Sequence, residues 1–375
     1  MDLMERAGTL KGQLVSFALS ARFRRQLDTV FDQTFPGGVV VEEAGASLVI
    51  DHFILQHRLQ DGDSVVDKFV LAHPELSAEE RDMLLGWKDV VEGIFEVRGK
   101  SGDSISLFNL VDELTYRTRS NLGKAAFRSL KKGMFLIGRV VPLGDDWLVS
   151  GNLAAFPASE RAALLTQAAE LSLRSPELVF RNPEKLATAR RMLADQRELF
   201  IELYGDELIV VPCDVLTERV NAFWNAVAER AAVTERAKVD FDFPEEMDYA
   251  ETVAIHFDPD TGLSFYFDFG LLQDLFDNPA LIARRRYRET MTSYLRDDTV
   301  SPAAIRILAE RDTEKAGVVF QKLLKKRGFS WAEHGEALLR KHKARYFETP
   351  QLPTNIPVSE TMAEHLRNTR QGQRE

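Results

Sequence analysis

Gly93-Ile94-Phe95-Glu96-Val97-Arg98, then Lys100-Ser101-Gly102-Asp103, then Ile105-Ser106-Leu107-Phe108-Asn109-Leu110 decides the fold class. Two alternating runs flank a turn built from Ser, Gly and Asp, the pattern of a β-hairpin. Leu114-Thr115-Tyr116-Arg117-Thr118, Met134 through Val141 and Trp147 through Gly151 read as three more strands. A turn at Pro142-Leu143-Gly144-Asp145-Asp146 joins the last two. Five short strands within about 60 residues predict a small β-barrel, OB-like or SH3-like, at 90–153.

On either side the period changes. Leu10, Leu14, Val15, Leu19, Phe23, Leu27 and Phe31 recur near every fourth residue, which predicts helix over 1–35, with Phe17 off the stripe. Pro36-Gly37-Gly38 stops it, and Val39-Val40-Val41 reads as a short strand. Residues 48–60 and 65–71 read as helical. Ser77 with Glu80 has the spacing of a capping box, which opens another helix. The first region, 1–89, is thus helical.

After Pro157 helices return, at Ser159–Leu173 and from Pro183 to Leu203, with a strand at Glu207–Pro212. The helical middle region runs over 154–233, and the acidic stretch 234–251 reads as a linker. Thr252–Phe257 and Leu263–Phe267 flank Asp258-Pro259-Asp260-Thr261-Gly262, a hairpin signal. With the helices that follow it defines a region at 252–348, and 349–375 reads as a flexible tail. The whole is α+β: mostly helical, with a small central β-barrel and a C-terminal β-hairpin packed with helices.

Composition narrows the function classes. The 375 residues are 45% hydrophobic and 28% charged, an ordinary globular balance. The lone cysteine, Cys213, excludes an internal disulfide framework and a multi-cysteine zinc site. Neither a signal-peptide pattern nor a run of about 18 apolar residues occurs, so the expectation is a cytoplasmic protein with no membrane partner. The net charge of −10 argues against a nucleic-acid-wrapping domain but leaves room for a local basic face.

Catalytic motifs are missing. The sequence contains no Gly-x-Ser-x-Gly elbow, no phosphate-binding Gly-x-x-x-x-Gly-Lys-Ser/Thr loop and no Gly-x-Gly-x-x-Gly turn, and no cofactor is expected. His52 and His57 are five apart, a poor spacing for two ligands on one helix, even with Asp61, Asp63 and Asp67 nearby. The Asp258–Gly262 stretch lacks the later ligands of a calcium loop. His256 and Asp268 stand on the two strands of the hairpin and would form an acid–base pair if they met across it.

Basic clusters carry the binding signal. Arg117 and Arg119, with Lys131 and Lys132, fall in and after the third strand; Arg284, Arg285 and Arg286 adjoin Tyr287. Such clusters suit phosphates, and aromatic neighbours suit stacked bases. A solvated helix surface is the simpler account of such charge runs.

The stretch Trp87…Val91-Glu92-Gly93-Ile94-Phe95-Glu96-Val97, Leu110-Val111-Asp112-Glu113 and Gly133 through Leu143 resembles the accessory region of uncharacterised bacterial proteins that carry a SEC-C zinc motif. The cysteine-rich zinc tail of those proteins is missing here, so neither zinc nor a translocase-linked role carries over. The resemblance implies a bacterial protein of unassigned function whose small barrel lies beside helices. The reading favours a non-catalytic binding or adaptor protein with a protein or nucleic-acid partner. Its alternatives are a hydrolase-like enzyme using the His256/Asp268 region, and a structural or regulatory subunit of an oligomer.

Overall fold

A computed structural model describes residues 3–35, 43–231 and 250–372. The strand expected at Val39–Val41 lies outside them, as does the acidic linker but for its last two residues. The chain divides into two compact units, Met1–Lys185 with Val358–Glu375, and Leu186–Pro357.

Unit 1 opens with α1 (Leu3–Ala18), α2 (Arg24–Thr34), α3 (Glu43–Leu55), α4 (Val65–Ala72) and α5 (Ala78–Gly86). The continuous periodicity of 1–35 breaks after α1, and aromatic packing explains why. The break lets Phe17 and Phe23 pack edge to face, 5.2 Å apart, while reaching Phe69 and Phe53 respectively. Both halves of the capping box at Ser77 and Glu80 are made, and Ser64 with Asp67 repeats the device at α4.

A five-stranded sheet follows: β1 (Val91–Ser101), β2 (Ser104–Asn109), β3 (Thr115–Arg119), β4 (Phe135–Leu143) and β5 (Asp146–Phe156). Its order is β1-β2-β3-β5-β4, and β1 pairs antiparallel with β4 as well as β2. β3 and β5 run parallel, joined by a crossover that passes through β4. Strand alternation sends Phe95, Val97, Ile105, Leu107, Tyr116, Leu136 and Val140 into one buried cluster. One end of that cluster is polar. Asp112, wholly buried, accepts hydrogen bonds from Tyr116 Oη at 2.6 Å, Asn109 Nδ2 at 3.0 Å and the Leu114 amide at 2.9 Å. Burial raises its pKa and outweighs these hydrogen bonds.

The unit continues with α6 (Arg161–Arg174), α7 (Pro176–Val179) and the start of α8 (Pro183–Tyr204). Unit 2 holds the rest of α8, then β6 (Leu208–Pro212), α9 (Leu216–Arg230), β7 (Thr252–Asp258), β8 (Gly262–Phe267) and α10 (Phe269–Asp277). It ends with α11 (Arg285–Arg296), α12 (Ala303–Arg311), α13 (Thr313–Leu324), α14 (Trp331–His342) and α15 (Ala344–Glu348). The hairpin β7–β8 is joined by β6 into a three-stranded sheet of order β6-β7-β8. Val253, Ile255 and Phe257 pack with Phe200 and Phe223 on one face. Ala254 and Tyr266 join the helical cluster of α10–α14 on the other.

Past Glu348 the chain does not simply trail off. Thr354 donates its amide to Thr261 O at 3.0 Å, and Asn355 Nδ2 reaches Gln196 Oε1 at 2.6 Å. The last helix, α16 (Glu360–Gly372), belongs to unit 1 and packs on α6, with Met362 buried and His365 Nε2 2.8 Å from Thr166 Oγ1. These contacts and α16 lie within the stretch expected as a tail from 349. Its polar composition hid the single buried methionine.

Candidate functional site

The outer face of β1, β2 and β3 gathers most of the basic residues singled out in unit 1. Along β3, Tyr116 and Thr118 are buried, so Thr115, Arg117 and Arg119 point outward. Along β2, Ser106 and Phe108 take the outward positions, and the register sets Ser106 opposite Arg117. The Arg98 guanidinium lies over the Phe108 ring, 4.6 Å from its centroid. Arg117 Nε is 3.4 Å from Asp146 Oδ1, and Arg119 is 2.8 Å from Asp146 Oδ2 and 3.5 Å from Asp103 Oδ2. The Arg117 side chain is 62% exposed. Asp146 is half-buried, whereas Asp103, the second partner of Arg119, is exposed, and an ion pair to an exposed acid contributes at most about 1 kcal/mol.

Lys131 and Lys132 reach the β1 edge of the same region. They follow the 3-10 turn Gly123–Phe127, exposed, in a turn that docks on β1. The Gly133 amide donates to Val97 O at 2.9 Å and the Val97 amide to Met134 O at 2.9 Å. The residue after Val97 is Arg98, so this turn, Arg98, Phe108 and Arg117 cross three neighbouring strands. Adjacent strands lie about 4.8 Å apart, so the span is roughly 10 Å. Arg98 and Phe108 were not among the sequence candidates. Their outward positions in the alternation were the available signal.

Unit 2 treats its candidates differently. His256 is buried on β7, opposite Ser264, with Nδ1 3.3 Å from Tyr266 Oη. Burial lowers its pKa, so it sits as a neutral imidazole in a structural contact. Asp268 stands beyond the other end of the strand pair, past Phe267 opposite Val253. Four positions at about 3.3 Å each put it roughly 13 Å along the sheet from Ser264. The acid–base pair expected from these residues is therefore not formed. Asp268 has φ 55° and accepts from the Glu251 amide at 3.3 Å, and Arg286 comes within 3.7 Å of it.

The basic run of α11 is closely paired. Arg286 meets Glu251 at 2.8 Å and Arg285 meets Glu289 at 2.7 Å. Arg284 sits exposed at the helix start, and Tyr287 packs against the core with its hydroxyl 3.3 Å from Asp274. Tyr287 is thus not presented as a stacking platform. Asp258 and Asp260 do line a cavity of about 430 Å3 with Ser264, Ser301 and Arg306. His256 and Asp268 are not among its lining residues, and Asp258 Oδ1 is occupied by the Asp260 and Thr261 amides at 2.9 Å each.

Among the described residues no group of three or more His, Cys, Asp or Glu side chains is placed to hold a metal. His52 turns to Gln56 at 3.3 Å, His57 stacks on Phe53, and Asp61 and Asp63 both bind Lys68. No helix among the described residues is long and apolar enough to cross a membrane.

Residues 5–176 match the model of a family of unknown function, DUF7986. The match takes in the whole five-stranded sheet and the helices before it, and stops short of the three-stranded sheet. No curated protein and no solved structure matches the chain. These comparisons provide no link to the SEC-C proteins that the central stretch resembles.

Proposed function

We propose that the protein is a non-catalytic binding protein whose five-stranded sheet is a small OB-like barrel, and that the outer face of β1–β3 takes a single-stranded nucleic acid. The strand order supports the first half. β1 pairs with both β2 and β4, which returns the sheet on itself, and the parallel β3–β5 pair fits the OB arrangement better than the SH3 one. OB barrels present their strand 2–3 face to oligonucleotides, an argument by analogy of fold. The observation that carries the second half is local. An aromatic ring, Phe108, lies beneath Arg98, between Glu96 on β1 and Thr115 on β3, with Arg117 two residues further along β3. Stacking on a ring and contact with phosphates are the two interactions by which single strands are held without base readout.

The test is titration of the purified protein with labelled single- and double-stranded DNA and RNA over a salt series. Binding to a single strand is expected, with log K falling against log salt by about 0.7 per phosphate contact. Arg117→Glu with Arg119→Glu weakens it at least about tenfold, and so does Lys131→Glu with Lys132→Glu. Arg285→Glu, whose partner is on its own helix, leaves it unchanged. Loss of all binding at low salt in the wild type leaves a protein partner for this face. Full affinity in both double variants overturns the assignment of the face.

A further inference from the structure

A second feature of unit 1 lies apart from that face. A cavity of about 490 Å3 opens between the β3–β4 connection, β5 and α1. Its floor is apolar, from Phe127, Leu130, Leu136 and Val149, and Lys11 is the one ionisable residue among those lining it. Lys11 sits on α1 beside the buried Leu10 and Leu14, so its hydrocarbon stem runs with the core. Its Nζ donates to Ser150 Oγ at 2.7 Å. The nearest carboxylate oxygen, Asp51 Oδ1, is 3.9 Å away, beyond hydrogen-bond length.

Asp51 is 3% exposed, and its Oδ2 has no hydrogen-bond partner. The carboxylate reaches β5 only because position 151 is glycine, with φ +67°. A Cβ there would stand 2.2 Å from Asp51 Oδ2. Lys11, one of the residues lining the cavity, is thereby anchored by Ser150 with Asp51 close behind. An ammonium has three donors, and one is satisfied by a protein hydrogen bond. Burial lowers its pKa, as expected of a charge that lacks acceptors, and Asp51 only partly offsets this.

We infer that this cavity binds a small amphipathic organic anion, its apolar body on the Phe127–Leu136 floor and its carboxylate or sulfonate against Lys11 Nζ. An anionic acceptor supplies the charge-assisted hydrogen bond that the ammonium lacks, where low dielectric makes it strong. The volume falls in the range of small-molecule sites. The site does not depend on the nucleic-acid reading of the outer face.

The probe is 8-anilinonaphthalene-1-sulfonate, followed by fluorescence against the full chain. One molecule binds per chain, decanoate displaces it, and decanol displaces it far less well. Lys11→Met, which keeps the stem and removes the charge, weakens binding at least about tenfold. Leu153→Trp fills the cavity and abolishes binding; Ser129→Trp, at its exposed rim, does the same if the first variant fails to fold by circular dichroism. Unchanged binding in the folded tryptophan variant places the probe elsewhere and overturns the proposal. Undiminished affinity in folded Lys11→Met, or equal displacement by decanol, shows that Lys11 serves structure alone.

Discussion

Two basic clusters of similar composition meet different fates in the two units. On β3, Arg117 and Arg119 share Asp146 and Asp103 on a pleated surface beside a ring. On α11, Arg285 and Arg286 are paired with Glu289, Glu251 and Asp268, and the neighbouring Tyr287 is half-buried against the core. The difference comes from the elements beneath. A strand points alternate residues outward in a row, so neighbouring strands assemble a flat mixed surface. A helix places residues three and four apart together, which pairs Arg285 with Glu289, while Arg286 reaches off the helix to Glu251 and Asp268. A run of positive charge in sequence is therefore weak evidence for a binding face until the element under it is known.

The contrast extends inward, where unit 1 buries polar groups against glycine and tyrosine. The largest expected effect is Gly151→Ala. A methyl at φ +67° and 2.2 Å from Asp51 Oδ2 combines backbone strain with a clash, so a loss of about 3 kcal/mol or more is expected in chemical denaturation. Gly102→Ala, with φ +62° but nothing within 4 Å, isolates the strain and is expected to cost only about 1 kcal/mol. Equal costs would show that Asp51 yields, and that the Lys11 site is softer than its geometry implies.

Next in size is Tyr116→Phe. It removes one of three hydrogen bonds to a buried carboxyl and is expected to cost about 1–2 kcal/mol, read from the denaturation midpoint at pH 7. A neutral outcome would mean that Asn109 and the Leu114 amide suffice for Asp112. Unit 2 offers a test of the opposite kind. Lys343, on the turn between α14 and α15, is wholly buried and donates to the Asp297 carbonyl. Burial lowers its pKa from 10.5 to about 8. Between those values the unfolded chain holds the extra proton, so stability gained through this group rises as pH increases from about 8 toward 10.5. Lys343→Met lacks that rise, and the difference between the two denaturation curves should shift toward wild type across this window. A flat difference would show that the ammonium is already well solvated by its partners.

The smallest effect is reserved for α11. Arg286→Ala breaks exposed pairs with Glu251 and Asp268 and is expected to leave the melting temperature unchanged within error. A clear drop would mean that these pairs organise the hairpin end, and the comparison of the two clusters would then be one of structural against binding roles.

How far the sequence could be read follows the same physical lines. β2 and β3 were legible because their burial alternates, whereas β1 and β4 are buried through most of their length and read as apolar runs bounded by turn residues. The Ser77–Glu80 cap was legible because its partners are three residues apart. The joining of β6 to β7 was not, because pairing between Leu208 and His256 has no local signature. The His256–Asp268 pairing failed on register: the turn fixes which residues face each other, and Asp268 falls past the last pair. The cavity was invisible for a further reason. Lys11, Asp51 and Gly151 come from α1, α3 and β5, and each is unremarkable where it stands in the chain.

The return of α16 to unit 1 also has a temporal side. The contact between Thr166 and His365 spans 199 residues. At roughly 5–20 residues per second, α6 waits on the order of 10–40 s during synthesis for the helix that packs on it. All five strands of the first sheet emerge long before that moment. A nascent chain carrying them therefore presents an unfinished flank to the cell while the whole of unit 2 is still being made, and its need for chaperone cover is set by the length of that insertion.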